Sequence, residues 1–288
     1  MKEPILSIAM KAKQPDNTAG RTALWRALHV FADSKPYIIE DTIGYGLINP
    51  EKDWQERPDM KYTKRLRASV VARARFIEDL AKEQIEKGVR QYVLLGAGLE
   101  SFAQRNKEII SQVDIYEIDQ PETLAWKEEK LIENGYPIPP NLHFVPVDFE
   151  TSSWWTQLLE KGFDISQPAF VSCTGVTLYL TYEAIVDTLQ KISSLAKNSK
   201  FAIAFYLPLE QLDKEDKPMQ EIAIKGAAAS GTPFVSFFSV DEIVRLARET
   251  GFKEIKTIST KDMTEKYFAN RADNLVPASG EFFLVAKT

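Results

Sequence analysis

Three places in the middle of the chain pair a short apolar run with residues able to hold a nucleotide. Tyr92-Val93-Leu94-Leu95 leads into Gly96-Ala97-Gly98-Leu99-Glu100. The run from Val113 to Ile118 leads into Asp119-Gln120-Pro121, and the run from Leu142 to Val147 into Asp148-Phe149. Glycines after the first strand let the backbone turn sharply and approach a ligand closely, because no Cβ intervenes. An acid at the end of the second strand, about twenty residues later, is placed to accept hydrogen bonds from both hydroxyls of a ribose. The third pair, an Asp and an aromatic, could accept an adenine amino group and pack against its ring.

The details separate one nucleotide from another. A dinucleotide fingerprint calls for a third glycine where this chain has Ser101. Glu100 would also bring a like charge to a pyrophosphate at the next helix start. A zwitterionic amino-acid tail carrying a sulfonium suits the loop better. Together the three signposts point to S-adenosylmethionine (SAM) as cofactor and to methyl transfer. An NAD-dependent oxidoreductase on a related sheet and a non-catalytic SAM-binding protein are the competing readings. Glu117, two residues before Asp119 and on the same strand side, is an alternate ribose ligand. Capping of the following helix is the plainer role for Asp119.

Arg73 and Arg75 precede the first strand on a long helix, and their spacing puts them on different faces, so at most one easily reaches the site. A guanidinium there would hold the methionine carboxylate bidentately. His29 on an N-terminal helix and Tyr179 after the fourth strand are the candidates for a catalytic base, each with a structural role as its alternative. His143, inside the third strand, reads as packed. A carboxylate acceptor is already ionised at neutral pH and needs no base, whereas a phenol or alcohol usually does. The scarcity of bases favours a carboxyl or acidic hydroxyl acceptor.

These residues need a scaffold, and the pattern supplies one. The first ninety residues read as helical: Ala19–Phe31 aligns Leu24, Leu28 and Phe31, and Thr63–Lys87 is a long helix closed by Gly88. Between them, Pro36 to Pro58 reads as loop, with Gly44, Gly46 and Asn49-Pro50 as breakers. Strands follow at Tyr92–Leu95, Asp114–Ile118, His143–Val147, Ala169–Cys173 and Phe201–Tyr206, alternating with helices, as in a mostly parallel sheet. Leu209–Gly231 reads as an insertion. Ser239-Val240-Asp241-Glu242 is a capping box before a helix to Thr250. Lys253–Ser259 is a sixth strand, and Glu281–Lys287 a seventh. With no crossover length before it, the last strand is expected to run antiparallel. The expected fold is α/β: a seven-stranded, mostly parallel, Rossmann-like sheet with a helical N-terminal cap. The expected organisation is a single domain over 1–288, with a cap at 1–88, a cofactor-binding core at 89–208, and an insertion and sheet edge at 209–288.

Composition sets outer bounds. The 288 residues are 44% hydrophobic and 27% charged, an ordinary globular balance. A net charge of −5 argues against a nucleic-acid partner, whose footprint would be strongly basic. The basic cluster Lys61, Lys64, Arg65 and Arg67 reads as a solvated helix face among acids. No apolar stretch nears the ~20 residues that span a bilayer, and Met1–Leu6 is too short for a signal peptide. One cysteine, Cys173, and two histidines leave no disulfide and little for a zinc site. A cytoplasmic setting is expected, with a small-molecule acceptor as partner. Trp25, Phe31, Tyr37, Tyr45 and Trp54 are an aromatic supply for its pocket, although most would be core in any fold.

The combined motifs are similar to those of the leucine carboxyl methyltransferase-like family. The resemblance rests on Arg73-Ala74-Arg75-Phe76-Ile77-Glu78-Asp79, Val93 through Ser101, Tyr116 through Pro121, and Thr174-Gly175-Val176-Thr177-Leu178-Tyr179-Leu180-Thr181. Tyr267 through Asp273 resembles the tail of bacterial members, including those acting on secondary metabolites. The resemblance runs from Arg21 to the C-terminus. It implies a class I methyltransferase sheet with a helical cap over the site. By resemblance, Arg73 would bind the SAM carboxylate, and Gly96, Ala97 and Gly98 its amino-acid portion. Asp119, with Gln120 in the same motif, would bind the ribose, and Asp148 with Phe149 the adenine. Many members carry Glu where this chain has Thr174, which offers a hydroxyl and its carbonyl to the methionine ammonium but no charge.

Overall fold

The structure, a computed structural model, describes residues 17–149 and 153–288. The opening stretch Met1–Leu6 and Glu150 lie outside the described residues. Helices α1 (Asn17–Ala32), α2 (Ile43–Ile48) and α3 (Lys64–Glu86) precede strand β1 (Gln91–Leu95). The alternation continues through α4 (Phe102–Arg105), α5 (Lys107–Ile110), β2 (Asp114–Asp119), α6 (Pro121–Glu133), β3 (Leu142–Pro146), α7 (Trp154–Glu160) and β4 (Ala169–Cys173). It closes with α8 (Tyr182–Ser193), β5 (Lys200–Tyr206), α9 (Lys217–Ala229), α10 (Val240–Glu249), β6 (Glu254–Ile258), α11 (Thr260–Tyr267) and β7 (Glu281–Lys287).

The strands form one seven-stranded sheet in the order β3-β2-β1-β4-β5-β7-β6. β1 pairs in parallel with β2 and β4, β2 with β3, and β4 with β5. β7 inserts between β5 and β6 and runs antiparallel to both, as expected. Because successive strands leave β1 in opposite directions, to β2 on one side and β4 on the other, their C-terminal ends frame a crevice. In open α/β sheets that crevice is where ligands bind.

Both sheet faces are buried, so β1 and β4 are apolar without alternation. One face packs Leu158 of α7, Ile185 and Leu189 of α8, and Ile243 and Leu246 of α10 against the sheet. The other packs Val71, Phe76 and Leu80 of α3 and Met263 of α11. The cap has its own small core, in which Leu24, Trp25 and Leu28 meet Trp54, Met60 and Val70. Burying each of those leucines contributes about 1.5–3 kcal/mol. Trp25 Nε1 also donates to Thr63 Oγ1 at 3.0 Å, fixing α1 against the start of α3. Trp25 and Trp54 are therefore core residues.

Two local expectations need correction. The segment Pro36–Pro58 contains α2, and Gly44, read as a breaker, lies inside that helix. A Cβ on Gly44 would stand 2.5 Å from Ala23 Cβ, so close packing of α2 on α1 explains the glycine. The basic cluster is also not a solvated face throughout. Arg67 is buried, its guanidinium bonded to both Asp33 oxygens at 2.6 and 2.9 Å, and Arg65 binds both oxygens of Asp216.

Candidate functional site

The loop after β1 is shaped by two glycines with positive φ, +74° at Gly96 and +51° at Gly98. L-residues avoid this region because Cβ crowds the carbonyl. At Gly96 space excludes a side chain as well, since a Cβ would lie 2.1 Å from Val176 Cγ2. The amides of Gly96 and Ala97 donate to Ile118 O at 2.9 and 3.1 Å, which draws the loop over the end of β2.

That placement puts Asp119 at the junction. Its Oδ2 accepts from the Gly98 amide and its Oδ1 from the Gln120 amide, each at 2.7 Å. The start of α6 has no side-chain cap bond, with Gln120 at its N-cap and Pro121 at the first helical position, so capping does not account for Asp119. Val147 N donates to Asp119 O at 2.9 Å and ties the end of β3 to the same place. Asp148 and Phe149 follow directly, both half-buried. Phe149 lines a cavity of about 240 Å³ with Leu95, Trp154, Cys173, Val176 and Thr188. The ends of β1, β3 and β4 thus share one recess, beside the carboxylate that closes β2.

Glu100 turns back on the chain, its Oε1 accepting from the Ser101 and Phe102 amides at 2.8 and 3.0 Å. The amides that a pyrophosphate would use are therefore already taken by a carboxylate. Glu117 does not serve as the alternate ribose ligand. It is fully buried and hydrogen-bonded to the equally buried Lys127 of α6. Burial raises its pKa, with Lys127 opposing.

At the end of β4, Thr174 is half-buried, Gly175 has φ +72° and Val176 covers Gly96. A Cβ on Gly175 would lie 3.5 Å from Arg73 Nη2, so Arg73 reaches this strand end. Its Nη1 donates to Glu281 Oε1 at 2.7 Å and to the Tyr206 hydroxyl at 2.8 Å. Burial alone would lower its pKa, but Glu281 and Tyr206 hold it above its ordinary value. Arg75, by contrast, lies on the surface, bonded to Asp79 and to Ile38 O.

Neither histidine is arranged as a base. His29 is fully buried, with Nδ1 2.9 Å from Asp33 and Nε2 accepting from the Ile38 amide at 2.9 Å. With both ring nitrogens engaged, it braces the cap. His143 stacks on Tyr116 and contacts Asp114. Tyr179 packs edge-on against Phe234, ring centres 5.4 Å apart. It stands close enough to Tyr206 to help raise that hydroxyl's pKa, after burial and Glu281. Burial pushes the Cys173 thiol up to about 12, which leaves it neutral. Among the described residues no cluster of three metal-binding side chains occurs, and no helix is long and apolar enough to cross a membrane.

Sequence reasoning missed the contacts that hold the cap to the glycine loop. Arg26 donates to Leu99 O at 2.6 Å and to Asp41 Oδ2 at 2.7 Å, and Ser101 Oγ reaches the same Asp41 oxygen. Burial would raise the pKa of Asp41, but Arg26 and Arg105 hold it below its usual value. Ala19 lies 3.4 Å from where a Gly98 Cβ would be. No local sequence signal marks Asp41 or Glu281, because both act on distant elements.

The sheet order, the glycine loop and the paired strand ends are those of a methyltransferase. Residues 19–193 match the family described as leucine carboxyl methyltransferase, and the chain belongs to that family. YktD of Bacillus subtilis (strain 168), named as a proposed S-adenosyl-L-methionine-dependent methyltransferase, is 31% identical over 92% of this chain and 95% of its own. A similarly named protein of Mycolicibacterium smegmatis is 32% identical over 59% of this chain and 54% of its own. Among solved structures, a proposed methyltransferase from Thermobifida fusca YX superposes over 85% of this chain and 93% of its own. Its TM-score is 0.58 at 14% identity, a likeness of fold. The chain is thus a SAM-dependent methyltransferase by family.

Proposed function

We propose that this chain transfers the methyl group of SAM to an oxygen of a small molecule, a carboxyl or an acidic hydroxyl. The observation that carries the site reading is the clasp on Asp119. A carboxylate at the end of β2, held by the two backbone amides of Gly98 and Gln120, is placed for the two hydroxyls of a ribose. The recess beside Phe149 fits the flat, apolar face of an adenine, and Asp148 is the acceptor for its amino group. The Gly96-Ala97-Gly98 loop and Gln120 would line the cofactor, Arg73 would take its carboxylate, and Thr174 would offer a hydroxyl and a carbonyl to its ammonium. Glu100, seated on the helix-start amides, counts against a pyrophosphate and so against NAD.

When bound, SAM supplies a methyl group activated by its sulfonium. The chain's own contribution is alignment and exclusion of water, worth up to ~7–11 kcal/mol in well-oriented systems. His29 has both nitrogens occupied and Cys173 is neutral, which supports an acceptor oxygen that is already ionised. Tyr179, near the Arg73–Tyr206–Glu281 cluster, is the remaining candidate to handle a proton if the acceptor is a hydroxyl. In this reading residues 1–288 act as one domain, in the cytoplasm, on a metabolite of the secondary kind. Turnover of methyl-labelled SAM against carboxylic acids and phenols tests it. Label in methyl esters or ethers is the expected product. Label only in amines or thiols contradicts the oxygen assignment, and SAM binding without transfer to any acceptor would favour a non-catalytic role.

A further inference from the structure

We infer that Glu281, together with Tyr206, is a positioning residue that sets the guanidinium of Arg73 for an incoming carboxylate. The inference rests on the reading of Arg73 as the cofactor's carboxylate partner and extends it to residues of β5 and β7. Tyr206 closes β5 and Glu281 opens β7, and the antiparallel register sets the two directly opposite. Their side chains and Arg73 form a closed triangle. Arg73 Nη1 donates to Glu281 Oε1 at 2.7 Å and to Tyr206 Oη at 2.8 Å, and the Tyr206 hydroxyl donates to the same Glu281 oxygen at 3.0 Å.

The triangle has two consequences. First, it uses one end of the guanidinium and leaves the other directed at the strand end. Nη2 is the atom nearest a Gly175 Cβ position, at 3.5 Å. No hydrogen bond within the described residues ends on Nη2. Second, it holds the group rigidly. A charge-assisted bond is roughly twice as strong as a neutral one, and a planar fork fixed at Nη1 cannot swing its remaining donors away. Only 12% of the Arg73 side chain and 7% of Glu281 remain exposed, so water does not compete freely for the pair. The long helix alone would leave the tip of Arg73 mobile. The Glu281–Tyr206 pair supplies the second support.

The test compares two ligands and two variants. S-adenosylhomocysteine and its analogue lacking the α-carboxylate are titrated calorimetrically into the full chain, with circular dichroism and melting confirming the fold. The unaltered chain should prefer the carboxylated ligand by about tenfold or more. Glu281→Gln keeps an acceptor but removes the charge. It should weaken the carboxylated ligand several-fold and leave the analogue within about twofold, so that the preference shrinks. Tyr206→Phe removes only a hydroxyl and should shift the preference the same way by a smaller factor; it also serves if Glu281→Gln does not fold. Equal weakening of both ligands would make the triangle merely structural. Tighter binding of the carboxylated ligand in Glu281→Gln would make Glu281 a competitor. Either result overturns the inference. An unaltered chain indifferent to the carboxylate would remove the Arg73 reading itself, and the inference with it, before any variant is measured.

Discussion

The backbone amide of Gly98 donates to Asp119 Oδ2 at 2.7 Å. One hydrogen bond thereby joins the loop after β1 to the end of the neighbouring β2. Asp119 braces the loop and, in the proposed function, also meets the ribose. Replacing it should therefore affect binding more than folding. Asp119→Asn is expected to weaken SAM by about 1.5–3 kcal/mol, the worth of hydrogen bonds to a charged group. Its effect on unfolding should be smaller. Calorimetry and urea unfolding on the same preparation check both, and an unchanged Kd contradicts the role.

Gly96 should tolerate no side chain. Its φ of +74° costs an L-residue about 1–2 kcal/mol, and a Cβ 2.1 Å from Val176 Cγ2 adds overpacking of about 1–3 kcal/mol. Gly96→Ala is expected to lower the melting temperature clearly. Adding Val176→Ala should recover the steric part and leave the backbone part. If the double variant melts no higher than the single one, the contact with Val176 is not what excludes a side chain.

The cap network carries a pH signature. The folded-state pKa of Asp41 is lowered from 3.8, as are those of Asp33 and Asp216. The unfolded chain therefore binds more protons in the acid range, and stability rises with pH there. The contribution is complete above the unfolded value and is lost as pH falls through the folded one, so unfolding free energy should drop below about pH 4. Asp41→Asn leaves Arg26 and Arg105 without this partner. It should cost about 3–5 kcal/mol at neutral pH and flatten the acid limb. A variant with the wild-type acid slope contradicts the assignment.

Glu117 and Lys127 make an opposite pair of predictions. Lys127→Met alone strands a buried carboxyl and should destabilise by about 3–5 kcal/mol. Glu117→Leu with Lys127→Met should be near neutral, because buried pairs often roughly balance their desolvation. SAM affinity in the double variant should match the unaltered chain. A large loss would return Glu117 to the cofactor site.

The strands were legible because each is an apolar run closed by glycine or acid, and because runs buried on both faces need no alternation. The antiparallel β7 matches the expectation, but chain length does not force it: the connection from β6 carries α11 and is long enough for a crossover. What escaped the sequence lies in contacts distant along the chain. Gly44 looks like a helix breaker until Ala23 of α1 is seen to need the space. Arg73 and Arg75 are equivalent by spacing, and only the fold shows that Arg73 turns inward. Glu281 and Asp41 carry no motif, since their partners are set by register and by docking of the cap. His29 looked available for catalysis because nothing in the sequence reveals that Asp33 and the Ile38 amide occupy both its nitrogens.

The most direct test of the central claim, that the ends of β1, β2 and β3 close on one adenosyl sulfonium cofactor, is calorimetric titration of the unaltered chain with SAM and, separately, with NADH. One SAM per chain and no heat from NADH is the expected result. Binding of NADH in place of SAM, or silence toward both, contradicts it.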